Sequence, residues 1–397
     1  MSSDDVLNNV FERAVTGKSL IKRRDVLRSD YVPENLPFRN NEIKAVAEPL
    51  SPLLKGERPS NLFLYGMPGS GKTVVAKHVL KHLRKRAAEL KVNITLAYSN
   101  TKITGREYSV LVELGNALGL RLPPTGLASG DLFAKILTEI NNQGVNTVFV
   151  LDEIDYLVKR HGDEILYEMT RSNERLDKGS LGLIGISNDL KFKEFLDPRV
   201  LSSLSEEEFV FPPYTVPELK GILNERANEG FREGSVIEAA INLCAATAGS
   251  EHGDARRAVD LLRVAGEVAE REAANFVDEK HVRIATQKIE QDTAREALRS
   301  LAIHDKIIVY SVMLSEKGST GDVFDTYKEL CKKLSLEPVT QRRVGMIISN
   351  LDTLGLISAP VVNQGRRGRT KRISLAVQAS VVKNVFEEDS TTSAFFY

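Results

Sequence analysis

The sequence predicts an α/β domain with a parallel sheet and a phosphate loop, followed by a helical region and a C-terminal winged helix. Three observations carry this. The octet Gly66–Thr73 reads GMPGSGKT, a complete GxxxxGK[ST] pattern lying between a short apolar run and a helical stretch. Four apolar runs of strand length, Asn61–Tyr65, Ile94–Ala97, Thr147–Leu151 and Leu181–Ile186, alternate with helical stretches, as in a parallel sheet. From about Leu301 three helical stretches give way to Ile357–Val362, a basic glycine-containing turn and Thr370–Leu375, the order of a winged helix.

Composition bounds the rest. The chain has 397 residues, long enough for two or three domains. It is 42% hydrophobic and 27% charged, within the range of soluble globular proteins. Lys+Arg and Asp+Glu both number 54, so any nucleic-acid contact must come from local clustering of charge. The two cysteines, Cys244 and Cys331, have no CxxC spacing, so neither a disulfide framework nor a zinc site is expected. The acidic start MSSDDVLNNV does not read as a signal peptide. No apolar run has the length of a membrane helix, and no membrane partner is expected. Residues 1–30 are polar and expected to be partly helical. Between Pro217 and about Lys288 the period is helical throughout.

The phosphate loop follows a strand and opens a helix expected over Thr73–Leu90, which its chemistry requires. Glycines let backbone N–H groups turn toward phosphates, and the helix N-terminus adds its positive end. The whole stretch of Gly66, Pro68, Gly69, Ser70, Gly71, Lys72, Thr73 and Val74 is the candidate nucleotide contact. Lys72 would reach the β- and γ-phosphates of ATP, and the Thr73 hydroxyl would bind Mg²⁺. Some 80 residues on, the strand Val148–Asp155 (VFVLDEID) delivers Asp152 and Glu153 at its C-terminal end, where ligands bind in open α/β sheets. Asp152 suits the Mg²⁺ shell and Glu153 suits polarising an attacking water.

The pair DExD after the phosphate loop, with a later strand ending in Asn188 (LIGISND), resembles the AAA+ ATPases. The resemblance implies that Asn188 is a sensor orienting the attacking water. Leu196–Leu204 (LDPRVLSSL) resembles the family's arginine-finger segment, with Arg199 the candidate acting on a neighbouring subunit; a surface ion pair is the plainer reading of that arginine. Gly253–Arg257 (GDARR) resembles the second sensor of the lid, with Arg256 at the γ-phosphate. His252, and His78 and His82 at i, i+4, lack metal-ligand partners and are assigned no role.

Three further stretches narrow the resemblance. Tyr31–Arg39 (YVPENLPFR) would bring Tyr31, Val32 and Pro33 against adenine. Phe211–Tyr214 (FPPY) begins the lid, and Tyr214 with Arg226 would close over the nucleotide. Asp254–Arg263 (DARRAVDLLR) continues the second sensor. With the winged helix these resemble the archaeal origin-recognition-type replication initiators, over nearly the whole chain from about Tyr31 to Leu375. One departure is Phe38–Asn41 (FRNN), where the family pattern is more polar and acidic.

At the C-terminal end, Arg342, Arg343, Arg366, Arg367, Arg369, Lys371 and Arg372 stand against Asp352 alone between Pro338 and Val377. Val339–Leu354 is expected as a helix burying Val344, Ile347, Ile348, Leu351 and Leu354, with Gln341, Arg342 and Arg343 at the end where recognition helices read bases. Gly365–Arg372 (GRRGRTKR) is the hairpin turn, suited to phosphates or a minor groove. Leu122–Ser129 is either a plain loop or, by the resemblance, an insert that touches DNA. The basic stretch Lys77–Lys91 reads as a solvated helix face.

The resemblance thus implies an AAA+ parallel sheet with a P-loop over residues 31–212, a helical lid over 213–300 and a winged helix over 301–390, after an N-terminal segment of residues 1–30. It implies a slow, switch-like ATPase that uses ATP/ADP and Mg²⁺, binds double-stranded origin DNA, and recruits or loads the replicative helicase. Another initiator paralogue is a further expected partner, and a cytoplasmic, nucleoid-associated setting is implied. The alternative is an AAA+ remodeller or motor, clamp-loader-like or a transposition ATPase, whose winged helix docks protein.

Overall fold

The computed structural model describes residues 19–204, 207–315, 318–363 and 369–393. The chain divides into two compact units, the first ending at Val282 and the second beginning at Arg283.

The first unit is built on five parallel strands: β1 Leu62–Gly66, β2 Ile94–Asn100, β3 Asn146–Asp152, β4 Ser180–Ser187 and β5 Glu207–Phe211. Their spatial order is β2-β3-β4-β1-β5. Helices cover both faces, so the central strands are apolar without alternation: every residue of β3 and β4 is buried. One face carries Phe63, Phe149, Leu151 and Leu183 beneath the helices Glu107–Ala117, Ser129–Gln143 and Glu164–Arg171. The other carries Leu62, Leu64, Val148 and Ile184 beneath Asn40–Leu50 and Lys72–Leu90. Parallel register aligns the strand ends. Asn100 lies opposite Asp152, and Tyr65 opposite Ser187, so Gly66, Asn100, Asp152 and Asn188 gather at one edge.

The four expected strands are present, the first shifted by one residue and the other three slightly wider. β5 was not anticipated, because it opens on Glu207 and Glu208 and looks polar in isolation. Pairing with β1 holds it in the sheet at an edge, where two of its five residues are exposed.

After β5 the chain turns helical. Thr215 and Glu218 form a capping box and Pro217 stands in the first turn of Val216–Gly230. Glu238–Ser250 and Ala255–Arg271 follow. The expected unbroken helical period is interrupted before each of them. The long helix Glu279–Ser300 carries the chain across Val282.

The second unit has helices Ile303–Leu314, Thr320–Lys333 and Gln341–Thr353, then two antiparallel pairings, Ile357–Ser358 with Ser374–Leu375 and Val361–Asn363 with Arg369–Lys371. A further helix, Ala379–Glu388, was not expected; Val382, Val385 and Phe386 bury its apolar face in the unit's core. Val344, Ile347, Ile348 and Leu351 are buried as expected. Leu354 is not: the helix ends at Thr353, Leu354 caps it, and its side chain is 58% exposed. Among the described residues, no helix is long and apolar enough to cross a membrane.

Candidate functional site

The first unit holds a cleft of about 410 Å³ over the C-terminal edge of the sheet, in the size range of cofactor sites. Its floor begins with the phosphate loop. Gly69 and Gly71 have φ of +72° and +98°, left-handed values that other residues rarely adopt. Both also lie under close neighbours. A Cβ on Gly69 would fall 1.8 Å from the Asp254 carboxylate, and one on Gly71 would fall 2.7 Å from the Tyr214 hydroxyl. The loop glycines therefore allow the helical region to close directly on the loop.

Lys72 is buried below the loop, where its ammonium donates to the carbonyls of Gly66 (2.7 Å) and Met67 (2.9 Å). Burial, reinforced by the charge of Arg256, pulls its pKa down to about 8. The Thr73 hydroxyl donates to Asp152 Oδ2 at 2.9 Å. Tyr98, at the end of β2, donates to the same oxygen at 2.7 Å. Burial first, and then the Asp152 charge, raise the Tyr98 phenol, so it stays a donor. Asp152 Oδ1 accepts from the Glu153 amide at 3.0 Å. Glu153 itself has a φ of +54°, a costly conformation for a non-glycine residue. Its neighbours hold it there: Thr101 Oγ1 donates to its carbonyl at 2.6 Å, Asn100 Nδ2 lies 3.4 Å from Oε1, and Lys102 lies 3.6 Å from Oε2.

The helical region supplies the opposite wall. Asp254 accepts from the amides of Arg256 and Arg257, capping the helix Ala255–Arg271, and the Ala255 amide reaches the Gly69 carbonyl at 3.3 Å. Arg256 thereby lines the cleft. At the far end stand Tyr31, Val32 and Pro33. The Arg226 guanidinium lies 4.7 Å from the centre of the Tyr31 ring and donates to the Val26 carbonyl at 3.1 Å.

One cleft thus brings together Tyr31, Val32, Pro33, Gly69, Gly71, Thr73, Val74, Asp152, Glu153, Asn188, Tyr214, Arg226 and Arg256. Ser70 and Lys72 are buried behind its surface, Gly66 packs on Phe211, and Pro68 faces outward. Arg199 lies outside the cleft. It is exposed, forks onto Asp197 with two contacts of 3.0 Å, and sits 5.3 Å from the Tyr167 ring centre. Tyr98 and Asn100 also line the cleft and were not singled out in the sequence, and Lys77, expected on a solvated helix face, is half-buried in its lining. The position of Tyr98 and Asn100 at a strand's C-terminal end was the available signal.

In the second unit, Gln341, Arg342 and Arg343 are exposed on the first turn of their helix, which Thr340 caps. Lys371 donates to Ser349 Oγ at 2.8 Å, tying the hairpin to that helix. Arg372 is exposed. Arg366 and Arg367 lie outside the described residues, as does the side chain of Arg369.

Three family models match in chain order: the AAA domain over residues 55–191, the Cdc6 AAA+ ATPase-type lid domain over 220–287, and the CDC6 C-terminal winged helix domain over 296–385. An ORC1-type DNA replication protein of Thermococcus kodakarensis is 48% identical over 97% of this chain and 95% of its own. One from Cenarchaeum symbiosum is 47% identical over 98% and 96%. The chain belongs to the ORC1-type DNA replication proteins. Among solved structures, the Aeropyrum pernix ORC1 protein in complex with DNA superposes with a TM-score of 0.85 at 44% identity, over 96% of this chain and all of that one. The Aeropyrum pernix ORC2 protein, solved in ADPNP–ADP complexes, shares the fold at a TM-score of 0.63 and 24% identity, over 92% and 98%. This ORC1-type chain is accordingly an AAA+ replication initiator protein with a parallel sheet, a lid and a winged helix.

Proposed function

We propose that this initiator is an ATP-gated switch on duplex origin DNA. The observation that carries the reading is the Thr73–Asp152 pair, set between the phosphate loop, Glu153 and the lid residue Arg256 in one cleft. Lys72 would turn from the loop carbonyls to the β- and γ-phosphates of ATP. A hydroxyl and a carboxylate are hard oxygen donors, so Thr73 and Asp152 fit Mg²⁺, which would neutralise phosphate charge. Glu153 would polarise the attacking water, and Asn188 would orient it. Arg256 would answer to the γ-phosphate, and Arg199 to the nucleotide of an adjoining subunit. Tyr31, Val32, Pro33, Tyr214 and Arg226 would enclose the base. Hydrolysis is expected to be slow, because a switch needs a long-lived ATP state.

The winged helix would bind DNA. Gln341, Arg342 and Arg343 would face base edges, while Lys371, Arg372 and the turn arginines would neutralise phosphates. In this reading residues 31–212 form the base, 213–300 the lid and 301–390 the DNA module. The ATP state would set the recruitment or loading of the replicative helicase, with a paralogous initiator as a further partner. Footprinting on genomic DNA with ATP and with ADP tests this. Protection of an inverted repeat near a replication start is expected. Rapid turnover without sequence-specific protection would instead favour a motor.

A further inference from the structure

Arg39 is the largest fully buried side chain of the described residues, 2% exposed, yet it does not line the cleft. Its Nε and one terminal nitrogen donate to the Ser70 carbonyl at 3.1 and 2.9 Å. That terminal nitrogen also donates to the Pro212 carbonyl at 2.7 Å, and the other pairs with Glu42 at 3.1 Å. The guanidinium carbon stands 3.7 Å from the centre of the Tyr214 ring. Ser70 belongs to the phosphate loop. Pro212 and Tyr214 are where the chain leaves β5 for the lid.

The contacts continue into a closed circuit. The Tyr214 amide donates to the Gly253 carbonyl at 3.2 Å, just before the Asp254 cap, and the Ala255 amide returns to the loop at Gly69. The lid therefore meets the loop directly, at Gly69 through Asp254 and Ala255 and at Gly71 through Tyr214, and a second time indirectly, through Arg39. A guanidinium can serve both carbonyls and still present a flat face to an aromatic ring. An ammonium cannot satisfy that geometry.

We propose that Arg39 is a positioning residue that transmits the state of the phosphate loop to the lid. The inference rests on the cleft binding nucleotide. When the loop tightens on phosphates, the Ser70 carbonyl moves, and the rigid fork carries the Pro212 carbonyl and the Tyr214 ring with it. Loop and lid then respond as one body.

Hydrogen exchange of the full chain at saturating ADP tests this, because saturation removes differences in affinity. In the unaltered protein, ADP should slow exchange both in Gly69–Thr73 and at Tyr214 and Gly253–Arg256. In Arg39→Lys the loop should still be slowed, with the lid response smaller by about tenfold, the scale of ordinary coupling between sites. Tyr214→Leu should uncouple the lid likewise, and Tyr214→Phe, which keeps the ring, should not. Parallel protection of loop and lid in Arg39→Lys and Tyr214→Leu overturns the role of Arg39 and leaves nucleotide binding standing. Absence of loop protection in the unaltered chain overturns both. If Arg39→Lys does not fold, the Tyr214 pair decides alone, and equal lid protection in the two forms overturns the proposal.

Discussion

The Thr73 hydroxyl and Asp152 Oδ2, 2.9 Å apart, join the first turn of the phosphate-loop helix to the end of β3. Tyr98 completes this small network from β2. Asp152→Asn should lower the Mg²⁺-dependent part of ATP affinity by about 10–100-fold, the usual scale for residues that orient or hold a metal. Tyr98→Phe should weaken it less, since one hydrogen bond is worth about 0.5–1.5 kcal/mol. Calorimetric titration with ATP, with and without Mg²⁺, measures both. Equal losses in the two conditions would show that the carboxylate serves the fold and not the metal.

Lys72 offers a test by pH. Its ammonium has a pKa of about 8 against an ordinary 10.5, and phosphate would hold it charged. Binding above pH 8 must then take up a proton. Affinity should fall about tenfold per pH unit from pH 8 toward 10.5, and Lys72→Ala should bind weakly without that slope. Without nucleotide the sign reverses. In the same window the unfolded chain binds more protons than the folded one, so this group adds stability as pH rises. Titrations in two buffers of different ionisation heat count the proton directly.

Glu153→Gln should retain ATP binding, because Asp152 and Thr73 are untouched, while hydrolysis slows by about 10²–10⁴-fold. Single-turnover kinetics beside equilibrium binding separate the two. Parallel loss of binding and turnover would mean that the strained turn at Glu153, and not its carboxylate chemistry, was damaged.

Arg199 is held outward by Asp197, whose carboxyl the guanidinium depresses to about 2. Arg199→Ala should leave ATP affinity of the monomer unchanged and lower only hydrolysis that depends on assembly. Turnover measured against protein concentration tests this. A change confined to monomer affinity would reduce Arg199 to a surface ion pair.

On the proposed function, the winged helix would divide its work between reading and neutralising. Arg342→Ala with Arg343→Ala should weaken binding to an origin duplex more than to a random one, since a bidentate contact to guanine discriminates by about 1–3 kcal/mol. Arg366, Arg367 and Arg369 changed together to alanine should weaken both duplexes alike. They should also flatten the slope of log affinity against log salt by about two to three. Fluorescence anisotropy across a salt series compares them. A wing variant that loses specificity at unchanged slope would reverse the assignment.

What could be read directly from the sequence was local. The phosphate loop is contiguous, and its glycines, lysine and threonine lie within eight successive residues, so Gly66–Thr73 needed no partner to be recognised. The place of Asp152 and Glu153 in the cleft was legible because strands of an open α/β sheet end at the edge where ligands bind, and the exposed first turn of Gln341–Arg343 because it begins an amphipathic helix. Tertiary structure decided everything that depends on residues far apart in sequence. β5 is a strand because β1 lies beside it. Tyr98 and Asn100 meet Asp152 and Glu153 because parallel register aligns the ends of β2 and β3. Arg39 lies in the stretch that departs from the family pattern, and nothing local marks it as special. It became a buried hub because the fold brings the Ser70 and Pro212 carbonyls and the Tyr214 ring to one point. A charge can be buried only where such partners converge, and only the folded chain makes them converge.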